Sequence, residues 1–172
     1  SGNYIPVKEM IKIIKWSEKK NIKVIVDESF VDFVETEEIL ESENVTLIED
    51  SILEKYPDLY VIKSISKSYG VPGIRLGILA SADMNLLNKV RKELPIWNIN
   101  SYGEFFMQII NKYKKTYAEA LTEFRKARSQ MIEHLAQISF LRIIPTQANY
   151  VMCEVVKGTS EERCVQMFEK GF

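Results

Sequence analysis

Histidine and cysteine are nearly missing from this 172-residue sequence, which has one histidine and two cysteines. Cys153 and Cys164 fall in strand-like and helix-like sequence without metal-ligand spacing, so no zinc site is indicated. They read as reduced core thiols, which points to a cytoplasmic protein. His134 sits on a charged helical face with no serine or cysteine motif near it, and reads as a surface residue. Charge of one sign is also missing. Lysine and arginine number 23 against 24 acids, a net charge of -1. That balance excludes a basic field for nucleic acid or an anionic membrane. No apolar run approaches the length of a membrane span. The opening "SGNYIPVKEM" has no signal-peptide core. There are no internal repeats and no low-complexity segments. The acids from Glu35 to Glu43 read as a solvated loop or helix face rather than a metal site.

What is present is an ordinary globular mixture, 46% apolar and 27% charged. The length allows one domain with a real core, or one domain and part of another. The chain opens on a turn and closes on "MFEKGF", a helix that has just reached a glycine cap. An excised piece of a longer chain is the expectation.

Strand-like and helix-like patterns alternate. Val7, Met10, Ile11 and Ile14 repeat at helical spacing behind Pro6. Lys23–Val26, Leu59–Ile62 and Leu76–Ala80 are short apolar runs that suit buried parallel strands. "SILEKYPD" reads as the end of a helix. A further helix follows Asp83, a candidate N-cap. This order predicts a three-layer α/β sheet. Glu104 to Ala136 then reads as one long helix joining two domains, with an aromatic pattern suited to core and dimer packing. "FLRIIP" and "NYVMCEV" read as strands, and a last helix is capped by Ser160.

The stretch "SISKSYGVPGIRLG", residues 64–77, concentrates the chemistry. Lys67 directly follows the second strand, at the carboxyl end of the sheet, where open α/β sheets bind ligands. Ser64 and Ser66 flank it with hydroxyls. Gly70, Gly73 and Gly77 allow close backbone approach. Arg75 adds a guanidinium suited to phosphate. Together these form a phosphate cradle beside a lysine able to capture a phosphorylated aldehyde as a Schiff base. The alternative for Lys67 is a solvated surface charge. Asp27 ends the first strand. It is either a turn former or a carboxylate facing a cationic ring nitrogen, which would keep a pyridinium protonated. Asn98 and Asn100, beside Trp97, divide equally between reaching the active site or a neighbouring subunit and making a turn.

"VDESF" followed by "SISKSYGVPGIRLG" resembles the fold type I pyridoxal-phosphate (PLP) enzymes, within them the class I/II aminotransferases. The nearest likeness is to the histidinol-phosphate aminotransferase and threonine-phosphate decarboxylase branch. "SGNYIP", "PIWNINS" and "QANYVMCEV" resemble further segments of that branch, so the likeness runs the length of the chain. It implies that Lys67 bonds the cofactor and moves the substrate proton, that Asp27 pairs with the pyridine nitrogen, and that Ser64, Ser66 and Arg75 bind the phosphate. Gly2, Asn3 and Tyr4 lie at a motif edge and receive no role. The resemblance further implies residues 1–103 as part of a large PLP-binding domain, 104–136 as an interdomain helix and 137–172 as the start of a small domain. A homodimer of the full-length protein, acting on an amino acid and a 2-oxo acid, is expected, and the isolated piece is expected to be inactive.

Two departures stand out. The position often held by a tyrosine that bonds the cofactor's 3′-oxygen is Phe30, which favours decarboxylase-like members. Arg142 does not match the arginine that grips the substrate carboxylate. The rivals to an aminotransferase are therefore a threonine-phosphate-like decarboxylase and a non-catalytic phosphate- or nucleotide-binding module.

Overall fold

The computed structural model describes residues 2–35 and 45–172. Most of the acidic run at 35–43 lies outside the described residues. Helix α1 spans Val7–Glu18 and strand β1 spans Val24–Asp27. A 3-10 turn at Val31–Phe33 and the one-turn helix α2, Asp50–Leu53, lead to β2, Leu59–Ser64. Helix α3 is a single turn, Ile65–Ser68, followed by a 3-10 turn at Pro72–Ile74 and β3, Gly77–Ala80. Helices α4, Met84–Glu93, and α5, Ser101–Ile109, precede a 3-10 turn at Ile110–Tyr113 and the long α6, Lys114–Ala136. Strands β4, Leu141–Ile144, and β5, Met152–Val155, and helix α7, Ser160–Glu169, complete the order. Among the described residues no helix is long and apolar enough to cross a membrane.

The first sheet has the order β1-β2-β3. β1 and β2 run parallel, with Val24 opposite Leu59 and Asp27 opposite Ile62. The apolar stripe of α1 lies over them. Ile14 joins Leu47, Leu53, Tyr56, Leu59 and Val61 in the core, with Val7, Met10 and Ile11 packed at its edge. Leu59 and Val61 are fully buried, and each such side chain contributes roughly 1.5–3 kcal/mol. The opposite face is open, with Ile25 at 69% exposure.

Three expectations are corrected here. β3 pairs antiparallel to β2, Val61 opposite Ala80 and Ser64 opposite Gly77, where the alternating pattern suggested a parallel strand. The connection closes on itself, with Ile65 N–H donating to Leu76 O at 3.1 Å, and so returns the chain as a loop instead of a crossover. The single helix expected over 104–136 is broken by the 3-10 turn. Tyr69 explains the break: its ring contacts Phe106 at 5.9 Å and Tyr117 at 4.0 Å. On a straight helix those two residues would stand about 16 Å apart along the axis, too far to meet one ring. The cap of α7 is Thr159, not Ser160, because Thr159 has Glu162 three residues on and forms a reciprocal capping box. Asp83 does cap α4, accepting from Leu86 N–H.

β4 and β5 form a separate two-stranded antiparallel sheet. Arg142 on β4 pairs with Glu154 on β5. The thiols are not core residues: Cys153 is half-buried on β5 and Cys164 is exposed on α7, which buries no residue.

Candidate functional site

Because β1 and β2 are parallel neighbours, both chains leave the sheet at the same edge. β1 delivers Asp27 there, and β2 delivers Ser64 and then Lys67 on α3. This is the carboxyl edge at which open α/β sheets bind ligands. Asp27 is exposed, and its Oδ1 accepts from Ser29 N–H at 2.9 Å. Ser29 itself is buried, and its hydroxyl accepts the N–H of Ser64 at 3.0 Å. The Asp27 carboxyl is held below its ordinary range. The Ser29 hydroxyl is the main cause, partial burial opposes it, and the Ser29 N–H and the charge of Lys67 add to the lowering. Asp27 is therefore a carboxylate at neutral pH.

Lys67 is exposed and its Nζ stands 4.2 Å from the centre of the Phe30 ring. Phe30 has no hydroxyl to offer a ligand, but its face attracts the ammonium, and it is held in turn by an edge contact to Tyr150 at 5.6 Å. Lys67 lines a cavity of about 610 Å³ with Tyr69, Phe106, Tyr117, Phe124 and Asn149. Asp27 and Phe30 line a second cavity of about 330 Å³ with Gly2, Asn3 and Tyr150. The motif-edge residues thus lie beside Asp27. Burial pushes the hydroxyls of Tyr117 and Tyr69 up, so both remain protonated donors.

Arg75 follows the turn at 72–74 with left-handed backbone, φ 59° and ψ 44°. That conformation costs an arginine about 1–2 kcal/mol, and such strain concentrates at functional positions. Its guanidinium donates to Pro72 O at 3.1 Å and carries further donors toward solvent. Gly70, with φ +64°, is the glycine of this stretch that needs its conformational freedom. Ser66 is buried, unlike its neighbour Lys67, and its carbonyl accepts from Val71 N–H at 3.1 Å. Asn100 resolves as a turn maker: it caps α5 through Gly103 N–H, and its Nδ2 donates to Ile74 O at 2.9 Å. It thereby pins the turn that carries Arg75. Trp97 is exposed.

Sequence reasoning missed Ser29, whose bonding to Ser64 crosses from one strand to the next. It also missed the half-buried Asp32–Lys63 ion pair at 2.6 Å. It missed Arg128 of α6 as well. That buried guanidinium donates to Phe33 O and Ala148 O at 3.0 Å each and pairs with Glu35. A lone polar residue in a helical pattern carries no sign of such a partner.

A carboxylate, an amine and a guanidinium at one sheet edge fit PLP, which needs a charged partner for its ring nitrogen, an amine for its aldehyde and donors for its phosphate. Comparison with known proteins agrees. The chain is 35% identical over 138 residues to the CMP-5'-(3-aminopropyl)phosphonate synthase of Streptomyces rubellomurinus, covering 80% of this chain and 21% of that protein. It is 31% identical over 136 residues to the L-serine phosphate decarboxylase of Sulfurospirillum multivorans, covering 77% and 33%. The structure of the histidinol-phosphate aminotransferase from Clostridium acetobutylicum superimposes with a TM-score of 0.82 at 26% identity, covering 99% of this chain and 49% of that one. The chain thus spans half or less of each of these proteins. The family described as Aminotransferase class I and II matches residues 1–170, and the chain belongs to this family of PLP-dependent enzymes with the type I α/β fold.

Proposed function

We propose that the full-length protein is an aminotransferase that moves an amino group between an amino acid, or an amino-acid phosphate, and a 2-oxo acid. The observation that carries this reading is the delivery of Asp27 and Lys67 to one edge by adjacent parallel strands. PLP, when bound, supplies an electron sink for the bonds at the amino carbon. Lys67 would hold the cofactor through its aldehyde carbon and would hold and move the proton at the substrate Cα. Asp27, kept anionic by Ser29, holds the proton on the ring nitrogen. Arg75, Ser64 and Ser66 bind the phosphate. Asn100 keeps the Arg75 turn in place. In this reading residues 1–103 belong to the large domain, 104–136 connect the domains, and 137–172 begin the small one. The separate β4–β5 sheet supports that division. The assembly proposed is a cytoplasmic homodimer.

Phe30 favours a second reading on the same site, a decarboxylase of phosphorylated amino acids. The phenyl ring leaves the cofactor without a hydroxyl donor at that position, and one relative is named a serine phosphate decarboxylase. The decarboxylase reading requires a phosphorylated amino acid, and the aminotransferase reading admits one. Lysine chemistry is preferred over a plain phosphate-binding module because the family is PLP-dependent. Product analysis on full-length protein with a phosphorylated amino acid and 2-oxoglutarate separates them. Formation of glutamate supports amino transfer. Release of carbon dioxide without glutamate transfers the assignment to decarboxylation. Neither product, with phosphorylated and unphosphorylated amino acids alike and in protein that carries PLP, refutes both.

A further inference from the structure

β1 stops at Asp27, and the chain turns away into the 3-10 turn that begins at Val31. The parallel ladder with β2 continues one step further, Glu28 N–H donating to Ile62 O at 2.8 Å. The next donor on β2, Ser64 N–H, would then face no carbonyl. It finds the hydroxyl of Ser29 instead, at 3.0 Å. A side chain has taken the place of a backbone acceptor at the point where two strands part. The same residue turns its own N–H onto Asp27 Oδ1 at 2.9 Å. The hydroxyl oxygen accepts from Ser64, which leaves its single proton free to donate, and the nearby hydroxyl also lowers the Asp27 carboxyl. Ser29 is 5% exposed, so its side of both bonds is shielded from bulk water.

We propose that Ser29 is a positioning residue that joins Asp27 and Ser64 into one hydrogen-bonded unit, fixing the carboxylate that meets the cofactor's ring nitrogen relative to the serine on its phosphate side. The proposal rests on the PLP reading of the Asp27–Lys67 site. Two consequences follow from it. The position of the Asp27 carboxylate depends on Ser29, and through the ring nitrogen so does the proton affinity of the Lys67 nitrogen once it is bonded to the cofactor. A less firmly held carboxylate leaves the ring nitrogen less positive, and the bonded lysine nitrogen then becomes more basic.

The test is a pH titration of the visible absorption band of PLP bound to full-length protein, wild type against Ser29→Ala and Ser29→Cys. The thiol keeps the shape of serine with weaker donor and acceptor strength. The expected result is an upward shift of the midpoint by about half a unit or more in Ser29→Ala, and a smaller upward shift in Ser29→Cys. Loss of the buried acceptor for Ser64 N–H lowers thermal stability whether or not Ser29 acts on the cofactor, so the melting temperature does not decide the matter. The midpoint does. A folded Ser29→Ala protein whose bound PLP titrates as in the wild type would overturn the proposal and leave Ser29 as a residue that merely ends a strand. If Ser29→Ala does not fold, an unshifted midpoint in Ser29→Cys overturns it in the same way. A wild-type protein with no PLP band would instead overturn the cofactor reading itself, and the proposal with it.

Discussion

The first sheet and the β4–β5–α7 segment are built to different standards. β2 is covered by α1 and its neighbours, with Leu59 and Val61 removed from solvent altogether. The β4–β5 hairpin has two short strands, and α7 after it keeps Val165, Met167 and Phe168 exposed. What the difference teaches is where the site's geometry comes from. Asp27, Ser64 and Lys67 hang from strands set in the packed region. The loop between β4 and β5 reaches the site from the looser one, through Tyr150 on Phe30 and Asn149 on the Lys67 cavity. Arg128 bridges the two, bonding the carbonyls of Phe33 and Ala148 at once.

The comparison can be broken from its strong side first. Leu59→Ala is expected to cost about 2–5 kcal/mol, read as a shifted denaturation midpoint, with loss of PLP binding as the strand ends lose their register. A cost below about 1 kcal/mol would mean that this core does not set the site. Arg128→Ala removes the bridge and leaves two buried carbonyls without their donor, at about 1–3 kcal/mol. It should raise hydrogen exchange in the 145–151 loop more than in β1 and β2. Equal changes in both regions would show that they unfold as one unit. Thr159→Ala deletes half of the capping box and should cost about 1 kcal/mol, confined to α7, with the pH behaviour of Asp27 unchanged.

Much of this was legible in the sequence because it is local. The apolar spacing of Val7, Met10, Ile11 and Ile14 describes α1, and Asp83 announces α4. The Ser-x-Ser-Lys stretch with Arg75 falls directly after a strand, so the sheet edge could be inferred. The rest depends on contacts between distant residues. An apolar run reads the same in either direction, so only the closure of Ile65 on Leu76 shows that β3 is antiparallel. The break before α6 answers to the ring of Tyr69, far earlier in the chain. Ser66, next to an exposed lysine, is buried by its place on a single helical turn. Nothing local in "VDESF" shows that the Ser29 hydroxyl accepts from Ser64, 35 residues on.

The central claim is that Lys67 is the residue that bonds the cofactor. Full-length protein incubated with PLP, reduced with borohydride, digested and weighed tests it directly. The result expected is a cofactor-derived mass fixed on the peptide carrying Lys67, absent from Lys67→Ala, while the folded state of that variant is kept because the side chain is exposed. Attachment at another lysine, or full activity in Lys67→Ala, would contradict the account.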